Sequence, residues 1–249
     1  MALFDETQVR VILLDIEGTT TPVDFVYKTL FPFASRKLES FLREHAREPE
    51  IQTLIDDLRS QHKLDTKDGL QPPDWRNDSE EERLHSCVAY GQWLIAKDSK
   101  CTPLKSLQGK IWQQGYETGE LRGEVYPDVP VAFERWKRQK KLICIYSSGS
   151  ILAQQLLFRT TPFGDLTPHI SDYFDTRVGA KTEAQSYQRI ADSVACEPAQ
   201  FLFISDAAKE IEAARSTGMR ALLCVRGKNM PLPAGNANLI QNFNDIFPD

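Results

Sequence analysis

The spacing of apolar residues changes along the 249-residue chain, and those changes divide it. Val9–Leu14 (VRVILL) is a short, β-branched run ending at Asp15, as a strand buried on both faces would be. Leu142–Tyr146 (LICIY), Phe201–Ile204 (FLFI) and Ala221–Val225 (ALLCV) repeat that pattern. Between the later runs the spacing turns helical. Val129, Phe133 and Trp136 share one helical face, as do Tyr187, Ile190, Ala191 and Val194, and then Ala207, Ile211 and Ala214. The last of these helices is expected to stop at Gly218, a common C-terminal signal. Buried strands alternating with amphipathic helices predict an α/β fold, a parallel sheet with helices on both faces.

Residues 21–124 read differently. Leu38, Phe41, Leu42 and His45 keep helical spacing, and so do Ile51, Leu54, Ile55 and Leu58. A further helix is expected around Leu84–Ile95, and no run here resembles a buried strand. Leu64 to Ser79 is polar and holds Pro72–Pro73, which predicts a loop. The chain is therefore expected to consist of a core, residues 1–20 and 125–249, with a helical segment, residues 21–124, inserted after the first strand. Open α/β sheets bind ligands at the carboxyl ends of their strands. An insertion leaving from such an end is well placed to act as a lid.

Composition narrows the function classes. Hydrophobic residues make up 41% and charged residues 26%, ordinary for a globular protein, and the formal net charge is −5. No Lys/Arg cluster interrupts this mildly acidic chain, which argues against nucleic-acid or anionic-membrane partners. The segment MALFDETQVR lacks the features of a signal peptide, and no run approaches the roughly 18 apolar residues of a membrane helix. Cys87, Cys101, Cys144, Cys196 and Cys224 are odd in number with no CxxC spacing, as free thiols in a reducing cytoplasm would be. His45, His62, His85 and His169 are scattered and read as surface or packing residues. No apolar surface stripe announces an interface, so a monomer is expected.

Chemistry-bearing residues follow the strand-like runs. Asp15 and Glu17 follow the first (LLDIEGTT), Ser147 and Ser148 the second (IYSSGS), and Asp206 the third (FLFISDAAKE), while Lys181 precedes the helix around Tyr187. Singly, each has a plainer reading: a polar turn, a loop or helix cap, a surface lysine, an N-cap. Together, in a parallel sheet, they would meet at one edge. Phosphoryl transfer needs positioning and charge neutralisation more than covalent chemistry. A carboxylate such as Asp15 can act as nucleophile, but it repels a phosphate dianion, so a cation is needed. Mg²⁺ takes oxygen ligands, often one or two carboxylates, and Asp15 with Asp206 suits it. Ser147 can donate to a phosphate oxygen, Lys181 can neutralise charge, and Gly149 would let backbone N–H groups approach an anion. Glu17 could pass a proton to the leaving oxygen and then take one from water.

The order of these residues resembles the haloacid dehalogenase-like superfamily, and within it the enolase-phosphatase family of methionine salvage. LLDIEGTTTP, DSKCTPLKSLQGKIWQQGY at 98–116, IYSSGS at 145–150 and SDYFDTRVGAKTEAQSY at 171–187 carry the likeness across core and insertion. The resemblance implies a Rossmann-like core with a helical cap and a Mg²⁺ site at Asp15, Glu17 and Asp206, with substrate contacts from Ser147, Ser148 and Lys181. It also implies a small phosphorylated substrate, a diketo-pentyl phosphate that is enolised and then dephosphorylated through an aspartyl-phosphate on Asp15. Glu17 departs from the Asp usual in the superfamily and is one methylene longer; in most members only the backbone carbonyl there touches the metal. Glu210 falls where many members carry a second acid and is expected to be a supporting group at most. Trp75, Lys105 and Trp112 are candidates for the pocket side of the cap or for its core. The competing expectations are a phosphatase of another small phosphorylated metabolite, a dehalogenase, which would not need the acidic metal site, and a receiver module. Receiver modules are about half this length and have no helical insertion.

Overall fold

A computed structural model describes residues 6–227 and 239–248, so the first five residues of the N-terminal segment lie outside the described residues. In chain order the elements are β1 (Val11–Leu14), α1 (Val23–Phe25), α2 (Phe31–His45), α3 (Pro49–Lys67), α4 (Glu80–Ala96), α5 (Thr102–Glu117), α6 (Asp128–Arg138), β2 (Leu142–Tyr146), α7 (Ile151–Arg159), β3 (Asp172–Phe174), α8 (Ala184–Val194), β4 (Phe201–Ser205), α9 (Ala208–Ser216), β5 (Arg220–Cys224) and β6 (Leu239–Ile240).

The strands form one sheet in the order β3-β2-β1-β4-β5-β6, and every pairing is parallel. Strand order reverses beside β1: β2 and β3 lie on one side, β4 to β6 on the other. Such a switch point opens a crevice at the carboxyl edge. Leu14 pairs with Ile145 on β2 and with Ile204 on β4, so the residues just beyond these positions share that edge. Val11, Leu13, Cys144, Tyr146, Phe201 and Phe203 face one layer, packed against Tyr187, Ile190 and Ala191 of α8 and Ile211 and Ala214 of α9. The alternate residues Ile12, Leu14, Ile143, Ile145, Leu202 and Ile204 are just as buried, so the opposite face is covered too. There Phe133 and Trp136 of α6 join Phe158 and Phe243 in an aromatic cluster.

The chain divides into two compact units: the α/β unit, up to residue 23 and from 122 onward, and a helical unit, Asp24–Leu121. In the helical unit α2 packs on α4 and α5, and α3 on α5. Gly115 leaves the space that the Phe33 ring takes, and the Trp112 indole donates to the Leu30 carbonyl at 2.9 Å. Ser79 caps α4 by accepting from the Glu82 N–H. Among the described residues of this unit there is no strand.

Several expectations shift. The first strand begins at Val11, not Val9, and the third extends to Ser205. α3 runs on to Lys67 because Asp65 is buried at helical spacing and accepts from the Tyr90 hydroxyl at 2.7 Å, so the loop starts later than Leu64. The short strands β3 and β6 and the helices α5 and α7 add to the elements expected. Among the described residues no helix is long and apolar enough to cross a membrane. All five cysteines are free thiols, three of them buried.

Candidate active site

Asp15 is the first residue past β1, and its N–H donates to the Ile204 carbonyl, continuing the ladder by one step. The chain then turns tightly. Thr19, Thr20 and Thr21 N–H all point at the Ile16 carbonyl, and Gly18 N–H donates to the Thr21 carbonyl. Gly18 sits at φ +72, where a Cβ would also collide with Asp206 Oδ2. The absent side chain thus lets the turn lie directly against the Asp206 carboxylate. The Thr20 hydroxyl returns to the Asp15 carbonyl at 3.2 Å.

The Asp15 side chain is 4% exposed and lies at the centre of a buried ionic network. Lys181 Nζ donates to Asp15 Oδ1 at 2.5 Å and to Glu210 Oε2 at 2.7 Å. The Ser205 hydroxyl, fully buried at the end of β4, lies 3.3 Å from Asp15 Oδ2 and 2.8 Å from Glu210 Oε2, and it accepts from the Ala207 N–H. Lys181 comes from the loop before α8, which is tied down in three places. Tyr187 Oη donates to the Lys181 carbonyl, Ser186 Oγ to the Ala180 carbonyl and Tyr146 Oη to the Gly179 carbonyl.

The electrostatics follow from this crowding. Burial opposes a charge on Lys181, yet Asp15 and Glu210 outweigh it and hold the ammonium above its ordinary range. Glu210 is pushed up by burial and by Asp15, against the pull of Lys181. Asp206 keeps solvent access, but the protein around its carboxyl, and then Asp15 and Glu210, push it up to about 6. Asp206 and Glu210 thus hold protons more readily than ordinary carboxyls do.

Burial raises both carboxyls first, and the negative charge crowded here adds to it, so a bound cation beside Lys181 would offset part of that charge. The donors gathered here are oxygens, the chemistry Mg²⁺ takes. Among the described residues no three His, Cys, Asp or Glu side chains form a metal cage. A partial protein set fits Mg²⁺, which keeps several waters and shares the remainder with a phosphate.

Of the residues expected at the site, Asp15, Lys181 and Asp206 converge at the carboxyl ends of β1 and β4. Ser147 is buried and follows β2, the neighbour of β1; its hydroxyl accepts from the Gly149 N–H. Ser148 is half-buried beside it. Glu17 is half-buried in the turn, where its backbone bridges to Thr21. Asp206 does not cap α9, whose N-cap is Ala207. Trp112 belongs to the core of the helical unit, and Trp75 is half-buried against His62 and Tyr90. Two functional groups exceed the sequence reading: Glu210 touches Lys181 directly, and Ser205 links Asp15 to Glu210. A serine closing an apolar strand, five residues before an acid on the next helix, was the available signal for both.

A family model described as haloacid dehalogenase-like hydrolase matches residues 9–218, and the chain belongs to that class. Its relatives define it further. It is 47% identical to Enolase-phosphatase E1 of Synechococcus elongatus, over 96% of this chain and 98% of that one. It is 45% identical to Enolase-phosphatase E1 of Drosophila simulans, over 98% of this chain and 92% of the relative. Within its class the chain belongs to the enolase-phosphatase family. Among solved structures, the UTR4 protein of Saccharomyces cerevisiae matches with a TM-score of 0.75 at 33% identity, over 94% of this chain and 98% of that one. A predicted phosphoglycolate phosphatase from Haemophilus somnus, at 16% identity and a TM-score of 0.52, shares the fold alone.

Proposed function

We propose that this phosphatase is a bifunctional enolase-phosphatase (acireductone synthase). It enolises 2,3-diketo-5-methylthiopentyl 1-phosphate and then removes the phosphate, giving 1,2-dihydroxy-3-keto-5-methylthiopentene in methionine salvage. The near-full-length likeness to the E1 enzymes supports the substrate. The phosphatase half rests on one observation, the buried Asp15 carboxylate held by Lys181 at 2.5 Å at the carboxyl end of the central strand.

Asp15 is the nucleophile. A carboxylate oxygen attacks phosphorus, the bond from phosphorus to the C1 oxygen breaks, and Glu17 gives that oxygen a proton. Water then attacks phosphorus, the bond to Asp15 breaks, and Glu17 regains a proton. Lys181 offsets charge on Asp15 and on the phosphoryl oxygens, and Ser147 with Ser148 donates hydrogen bonds to the phosphate. Asp15, Asp206 and a group at Glu17 would hold Mg²⁺. When bound, the metal supplies the positive charge that lets a dianion approach these acids. Five free cysteines support a cytoplasmic enzyme, and a monomer is expected.

The test is phosphate release from the synthetic diketo-phosphate, with Mg²⁺ and with excess EDTA, while enediol absorbance is followed. Mg²⁺-dependent release with an enediol product is expected. Turnover of ordinary sugar phosphates with none of this compound would keep the phosphatase site and overturn the substrate.

A further inference from the structure

We infer that Arg226 is a positioning residue for the chemistry at Asp15: its guanidinium holds the Thr19 carbonyl, and with it the turn that carries Asp15 and Glu17. This rests on the reading of Asp15 as nucleophile. Arg226 follows β5, which β4 separates from β1, so its side chain reaches along the carboxyl edge of the sheet to the turn. Nε donates to the Thr19 carbonyl at 2.9 Å, and Nη1 donates to both Asp128 oxygens at 2.7 and 2.8 Å. The guanidinium lies over the rings of Tyr126 and Phe243, 4.4 and 4.5 Å from their centroids. Asp128 is fixed in turn by the Phe243 N–H at 2.7 Å. The Arg226 side chain is 5% exposed, so this is a built contact and not a surface pair.

Within itself the turn is closed on the Ile16 carbonyl, and the Thr20 hydroxyl returns to the Asp15 carbonyl. The hydroxyls of Thr19 and Thr21 are buried with no hydrogen-bond partner. Two of its carbonyls tie it to the rest of the unit: Thr19 accepts from Arg226 and Thr20 from the Tyr126 N–H at 3.0 Å. Tyr126 supplies both a backbone donor to the turn and the ring under Arg226, so these two carbonyl anchors form one bracket. Displacing Thr19 moves a backbone that carries Glu17 two residues away and Asp15 four residues away. A planar fork can hold the carbonyl and the carboxylate together, whereas a lysine can reach only one of them well.

Arg226→Met and Arg226→Lys test this. For Arg226→Met, kcat is expected to fall about tenfold or more, since small misplacements of reacting groups are costly, with KM changed less than about threefold. Arg226→Lys should recover part of kcat. A wild-type kcat in folded Arg226→Met protein overturns the inference, because a merely structural bracket would lower the melting temperature and leave turnover of the folded fraction intact. If Arg226→Met does not fold, Asp128→Asn loosens the same guanidinium; a smaller loss of kcat is expected, and an unchanged kcat overturns it. Should the wild-type protein release no phosphate, the reading of Asp15 fails. Amide hydrogen exchange across Ile16–Thr21 then tests the bracket without substrate. Faster exchange confined to that turn in Arg226→Met supports it, and unchanged exchange overturns it.

Discussion

The two units of this chain treat charge in opposite ways. At the candidate site of the α/β unit ionic groups leave water: the Lys181, Asp15 and Glu210 side chains are 10%, 4% and 15% exposed. In the helical unit most ion pairs stay wet. Lys28–Asp24, Arg43–Glu81 and Arg47–Glu80 all join exposed side chains, which contribute little to stability. That unit is held instead by apolar helix packing, with Asp65 a rare buried acid, paired to a tyrosine. Burying charge is unfavourable unless every partner is in place. A cluster of buried acids with one ammonium therefore marks where the chain has been shaped by chemistry and not by folding alone.

Asp15→Asn should break that contrast most sharply. The amide cannot act as nucleophile, so kcat should fall by at least about 10³-fold. Asn keeps the shape, and Lys181 keeps Glu210 at 2.7 Å, so circular dichroism and cooperative melting should remain. Appreciable turnover in folded Asp15→Asn protein would overturn the covalent route.

Lys181→Met comes next. It removes the ammonium that both acids share and leaves them buried without a counter-charge, with only the Ser205 hydroxyl between them, which should cost about 3 kcal/mol of stability along with most of kcat/KM. Adding Glu210→Gln should return much of the stability, measured by urea unfolding, and none of the activity. Recovery of both would mean that Lys181 acts only by balancing charge.

How far this site was legible depended on whether its signal is local. β1, β2, β4 and β5 are continuous apolar runs, the mark of strands buried on both faces. β3 is three residues long with Asp172 exposed, too short for its period to register. α5 carries Gly109 and Gly115 within its span, which weaken a helical reading although Gly115 is there to admit Phe33. Asp15, Lys181 and Asp206 could be read because each stands beside a recognisable element. Glu210 was expected as a supporting group at most, and only the fold brings Lys181 onto it. The contact of Arg226 with Thr19 spans 207 positions and leaves no trace in either neighbourhood.

Two glycines give the mildest and cleanest form of the comparison. Gly18 and Gly69 share a left-handed backbone, at φ +72 and +81. An alanine at either therefore carries a similar conformational penalty, roughly 1 kcal/mol. Their surroundings differ. Around Gly69, in the loop after α3, a Cβ would meet nothing within 4 Å, whereas at Gly18 it would collide with the Asp206 carboxylate. Gly18→Ala must push apart the turn and β4 edge that hold Asp15 and Asp206, so kcat should fall more than about tenfold. Gly69→Ala should lower stability by about 1 kcal/mol or less and leave kcat and KM unchanged. Measuring both variants by thermal melting and phosphate release separates backbone strain, which they share, from the packing of the site, which only Gly18 serves. Equal losses of activity would mean that strain alone matters and that the close approach of Gly18 to Asp206 has no part in catalysis.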